Sequence, residues 1–75
     1  MFLYFKDSLV NLDNVTYIEK SYEDTGKGKV FYTLKFYSED KLIDIFVFIN
    51  KDEREKYFKG LLFSLSNKNK LIKLE

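Results

Sequence analysis

Cysteine and histidine are both missing from this 75-residue chain. Without cysteine no disulfide forms, and without either residue zinc loses its preferred sulfur and nitrogen ligands. The same absence removes Ser–His–Asp and Cys–His sites, and with them the side chain that most often carries protons near neutral pH. Carboxylates and lysines remain, and they act only where burial shifts them strongly. Tryptophan is absent and glycine occurs three times. Nor is there a long apolar run: Ile45-Phe46-Val47-Phe48-Ile49 is far shorter than the about 20 residues of a membrane helix. The first residues lack a positive leader and an extended apolar segment, so a cytoplasmic protein is expected. These absences predict a chain that is not an enzyme and that has no cofactor and no metal.

A strong charge of one sign is also lacking, the net being +1. Two basic residues face five acidic ones in residues 1–25, four face three in 26–50, and seven face four in 51–75. That is a mild dipole with a basic C-terminal third, short of the field of a dedicated nucleic-acid binder.

What the chain does have is eight Phe and six Tyr. A chain this short hides only about 60% of its unfolded surface. Its margin is then a few kcal/mol. Small domains compensate with disulfides, metals or partners. Here dense aromatic packing, an oligomer, or both must serve, since each aromatic ring buries a large area.

Patterning predicts an α+β domain spanning the whole chain: an antiparallel sheet of four or five strands with one C-terminal helix packed on it. Residues 2–5 and 8–11 read as a short hairpin, and residues 12–14 as a turn. Residues 15–22 read as a strand, ended by a segment in which Gly26 and Gly28 allow positive φ. In 30–37, Val30, Tyr32, Leu34 and Phe36 form the core face, and Phe31, Thr33, Lys35 and Tyr37 the other. A tight turn at 38–41 makes the next pairing antiparallel. In 42–49, Ile43, Ile45, Val47 and Ile49 form a uniformly apolar face, assigned to the core. The opposite face, with Phe46 and Phe48, is too apolar for ordinary solvent exposure. Asn50 suits a helix N-cap, with Glu53 three residues on. Tyr57, Phe58, Leu61, Leu62 and Leu65 make one helical stripe. Gly60 within that stripe is read as a point of close approach to the sheet. The helix should fade near residues 66–67, leaving 67–75 as a flexible or pairing tail.

Candidate sites follow from what this pattern leaves over. Phe31, Tyr37, Phe46 and Phe48 point away from the assigned core. They anchor a protein interface, stack on bases, or lie in a second small core if the sheet curls. A basic set of Lys35, Lys41, Arg54, Lys68, Lys70 and Lys73 is the alternative, a nucleic-acid-binding surface. Asp24-Thr25-Gly26 resembles the signature triplet of aspartic proteases, which implies a dimeric hydrolase as a remote alternative. The bland reading, a hairpin turn, is preferred because Asp, Thr and Gly suit turns. Gly26-Lys27-Gly28-Lys29 lacks the spacing and following helix of a phosphate loop.

The segment Leu9-Val10-Asn11-Leu12-Asp13-Asn14-Val15-Thr16-Tyr17-Ile18-Glu19 resembles the opening of a recurrent type of small bacterial and phage protein. In that type a short strand, an Asn-Leu-Asp-Asn turn and a longer strand precede a β-meander and a terminal helix. Some are similar to a reduced pleckstrin-homology-like sheet. The resemblance implies a fold and no activity. With size and composition it leads to the functional expectation. This is a non-catalytic module that binds a protein partner, either its own copy as a homo-oligomer or a host protein. The second case would be a phage or mobile-element inhibitor of anti-CRISPR or other anti-defence type.

Overall fold

A computed structural model describes residues 2–67 and 73–74. Strands β1 (Phe2–Phe5) and β2 (Ser8–Asn11) form an antiparallel hairpin closed by Lys6 and Asp7, with Lys6 at φ 53°. A 3-10 turn, Leu12–Asn14, follows. Asn11 starts it by accepting the Asp13 N–H on its side-chain oxygen at 3.0 Å. Strands β3 (Tyr17–Asp24), β4 (Val30–Ser38) and β5 (Lys41–Phe48) form an antiparallel meander. Helix α1 spans Lys51–Asn67. A two-residue strand, β6 (Lys73–Leu74), pairs parallel with the start of β3.

The α+β class and the terminal helix match the sequence expectation. The single sheet of four or five strands does not: the hairpin is a separate two-stranded sheet. The reason is coverage. A helix about 10 Å wide cannot cover three strands spaced about 4.8 Å apart. The buried Leu12 and Val15 turn the chain so that the hairpin lies over the inner face beside α1. There Phe5 stacks on Phe46 at 5.0 Å, lies tilted against Phe48 at 4.5 Å, and meets Tyr57 of the helix edge-on at 5.4 Å.

Strand β5 presents the face opposite to the one the sequence pattern assigns. Ser38 pairs with Lys41 and Tyr37 with Leu42, as in a regular hairpin, but Phe36 pairs with Asp44. Ile43 is skipped, a β-bulge. Continued regularly, the register would set Ile43, Ile45 and Val47 opposite Phe36, Leu34 and Tyr32, on the core side. The bulge moves the alternation by one residue, which exchanges the faces. Phe46 and Phe48 are therefore 1% and 3% exposed, while Ile43, Ile45, Val47 and Ile49 stand outside. The larger rings fill the space beside Phe5 and Tyr57, which branched aliphatic chains would leave partly empty.

The rest of the core follows the pattern more closely. Ile18, Leu34, Phe36, Phe58, Leu61 and Leu65 are buried, joined by Val10 and Leu12 from the hairpin end. Val30, Tyr32 and Leu62 are half-buried, whereas Phe2 and Tyr4 are exposed. The helix starts where expected, with the Asp52 N–H donating to Asn50 Oδ1 at 2.7 Å. The reading of Gly60 as a close-packing point fails, because a Cβ there would meet nothing within 4 Å. Glycine inside a helix costs about 1 kcal/mol relative to alanine. Gly60→Ala is therefore expected to raise the unfolding free energy by about 1 kcal/mol in urea titration. A loss of stability would mean that the position is crowded.

Candidate functional site: the outer face of the sheet

Cross-strand register builds the outer face row by row. Ile45 lies opposite Lys35, which lies opposite Glu19. Val47, Thr33 and Ser21 form the next row, Phe31 faces Glu23, and Tyr37 faces Tyr17. The apolar end of each row is β5. The bulge adds Ile43 to the same exposed set as Leu42. Leu42, Ile43, Ile45 and Val47 keep about two-fifths of their surface in contact with solvent, and Ile49 76%. Exposed aliphatics scattered singly are normal; here they stand side by side along one strand. At its end, Phe31 and Ile49 border a hollow of about 310 Å³ with Gly28, Lys29 and Val30.

The face, and not the edge, of β5 is the available feature. Lys6 Nζ donates to the Val47 carbonyl at 3.4 Å, and the Ile45 N–H donates to Asp44 Oδ1 at 2.7 Å. With the bulge, these are devices that blunt strand-to-strand pairing. Beneath the face, Thr33 is 2% exposed and its hydroxyl has no hydrogen-bond partner among the described residues. Tyr17 and Tyr37 stack at 5.2 Å and close the far end.

Of the aromatic set named from sequence, Phe31 and Tyr37 belong to this face and are half-buried. Phe46 and Phe48 do not; they are core residues on the inner side. The residues that sequence reasoning missed are Leu42, Ile43, Ile45, Val47 and Ile49. Leu42 precedes the bulge and stands outside, as its place in the alternation predicts; for Ile43, Ile45, Val47 and Ile49 the uniform apolarity was visible, but the face they occupy depended on the bulge.

The described side chains of the basic set do not converge. Lys35 lies on the outer face, 3.5 Å from Glu23. Lys41 is exposed at the start of β5. Lys73 pairs by its backbone opposite Tyr17, and Lys68 and Lys70 lie outside the described residues. Arg54 is on the other side of the sheet and buried at 7% exposure. Its Nη1 donates to the Ser21 carbonyl at 2.7 Å and its Nη2 to Glu55 Oε1 at 2.9 Å, and its guanidinium sits 5.3 Å from the Tyr32 ring centre. Glu55 also meets Lys20 at 3.5 Å, and Lys20 Nζ lies 4.8 Å from the Phe58 ring centre. Arg54 thus ties helix to sheet and is not displayed to a ligand.

The other sequence candidates are turn residues in this structure. Asp24 accepts the Gly26 N–H at 2.9 Å, and Thr25 Oγ1 donates to the Lys29 carbonyl at 3.0 Å. Gly26 and Gly28 adopt φ of 75° and 77°, which closes the hairpin. Among the described residues no three acidic, cysteine or histidine groups gather as a metal site. No described helix is long and apolar enough to cross a membrane. Compared with family models, with curated proteins and with solved structures, the chain matches none.

The Arg54 cluster has a pH signature. The Arg54 hydrogen bond, aided by Lys20 and opposed by burial, holds the Glu55 carboxyl below its ordinary value of 4.5. A carboxyl depressed in the folded state adds stability in full above its ordinary value, and loses it as pH falls through the depressed one. The stability gap between wild type and Glu55→Gln should therefore be constant above pH 4.5 and close on acidification below it. Arg54→Ala should cost about 2 kcal/mol by stranding the Ser21 carbonyl. Urea unfolding across pH checks both, and a gap independent of pH would show that Glu55 gains nothing from its partners.

Proposed function

We propose that this chain is a non-catalytic protein-binding domain that docks through the outer face of its sheet. The observation that carries the reading is the unbroken stripe of exposed aliphatics on β5, set beside the half-buried Phe31 and Tyr37. The inner face is already covered by hairpin and helix, so the outer one is the surface left for a partner. Its design suits a protein: an apolar strip at one side and a polar margin of Glu19, Glu23 and Lys35 at the other, the usual core-and-rim arrangement. A second copy can meet it sheet to sheet, since two such faces pack about 10 Å apart. A foreign protein can meet it in the same way. The second case suits a small inhibitor that works by occupying a surface, as in a phage or mobile-element product directed at a host system.

The nucleic-acid alternative has little to draw on. Of the described basic side chains proposed for it, Arg54 faces inward and Lys35 is matched by Glu23.

A charge in the strip should break the contact. Ile45→Asp and Val47→Asp are each expected to weaken association by about 2 kcal/mol, a roughly thirtyfold change, while the fold persists. Light scattering over a wide concentration range reads self-association, and a photo-crosslinker at position 45 reads a foreign partner. Association that the Asp variants abolish supports the proposal. A monomer that crosslinks nothing from position 45 contradicts it.

A further inference from the structure

A second site lies on the opposite layer, between β1 and α1. The hairpin turn is two residues long and closed by the pair Phe5–Ser8. In such hairpins the closing pair exchanges both backbone hydrogen bonds, and the pairs alternate from there. Tyr4 and Phe2 therefore direct their N–H and C=O groups away from β2. Tyr57 confirms the direction from the helix side, its hydroxyl donating to the Tyr4 carbonyl at 3.4 Å. Beyond that bond, the backbone groups of Phe2 and Tyr4 on this edge have no partner among the described residues. Unlike the β5 edge, this one carries no bulge.

The edge opens into a cleft of about 370 Å³ bounded by Phe2 and Tyr4 on one wall and Lys56, Tyr57, Gly60 and Ser64 on the other. Phe2 and Tyr4 are 63% and 75% exposed. Gly60 keeps the helix wall low: it is exposed, and the space a Cβ would enter is empty. No packing requirement explains a glycine there, and any longer side chain would project into the cleft. Among the described residues Lys56 is the one charged residue that lines it, and its ammonium has no acidic partner among them.

A free strand edge facing a helix across an apolar cleft is the arrangement in which an extended peptide adds as a further strand. We propose that this cleft binds an extended segment of a partner protein bearing an acidic side chain. The segment's backbone would pair with the Phe2 N–H and C=O and the Tyr4 N–H, the groups that the Tyr57 bond leaves open, its alternate apolar side chains would lie over Gly60, and its carboxylate would meet Lys56. This site is separate from the outer face and stands or falls independently of it.

The test is an amide-shift titration of the full chain with a capped peptide of alternating valine and threonine carrying a central glutamate, at up to millimolar concentration. The expected result is saturable shifts at Phe2, Tyr4, Tyr57 and Gly60, with the amides of Ile45 and Val47 unmoved. The same peptide N-methylated on the residues that face β1 should not bind, since its donors are blocked while the protein is unchanged. Gly60→Leu should abolish the shifts by filling the cleft. Lys56→Glu, or glutamine in place of the peptide's glutamate, should weaken binding several-fold. Absence of shifts, shifts mapping to the outer face, or equal binding of the N-methylated peptide would overturn the proposal. Equal binding of the glutamine peptide would overturn the role of Lys56.

Discussion

The contact on which the rest of this structure depends is the aromatic cluster at the junction of hairpin, sheet and helix. Phe46 is its hub, with Phe5 at 5.0 Å, Phe36 at 4.6 Å and Tyr57 at 5.8 Å. These four residues come from β1, β4, β5 and α1, so one cluster closes every layer. Burial raises the Tyr57 phenol above its ordinary pKa, and its hydroxyl donates to the Tyr4 carbonyl. In a chain without disulfides, such ring-to-ring packing is the densest apolar burial available per residue.

That cluster fixes the outside as well as the inside. To bring Phe46 and Phe48 inward, β5 must break its register with β4, and the skipped Ile43 is where it does so. The consequence is an aliphatic strip turned toward solvent. Thus the feature that completes the core also leaves an apolar outer face, and the same bulge discourages edge-to-edge pairing there. On the other layer, the hairpin that supplies Phe5 must sit beside α1, and the gap between them is the cleft floored by Gly60. Core, face and cleft are three results of one packing problem.

Much of this was legible in the sequence. Alternation identified β4 correctly, from Val30 through Tyr37, and the N-cap at Asn50 set the helix start. The helical stripe placed Phe58, Leu61 and Leu65 inside. What alternation cannot reveal is a bulge, because skipping one residue leaves composition unchanged while exchanging the faces. On β5 both faces are apolar, so the pattern held no internal contradiction to expose the error at Phe46 and Phe48. The separate hairpin was hidden for a related reason: strand patterning shows which residues pair, but not whether a hairpin joins a sheet or folds over it. Arg54 was read as a surface cation because charge usually marks exposure; its burial depends on the Ser21 carbonyl and Tyr32 ring, which are distant in sequence.

The inverted face of β5 is tested most directly by comparing the unfolding free energies of Phe46→Ala and Ile45→Ala in urea at low micromolar protein. Phe46→Ala should cost about 3–5 kcal/mol, enough to leave little folded protein, because it empties the hub of the cluster. Ile45→Ala should cost about 1 kcal/mol, as expected where solvent already reaches the side chain. The opposite ranking, with Ile45 the costlier loss, would mean that β5 pairs in the regular register and that its aliphatic strip is core.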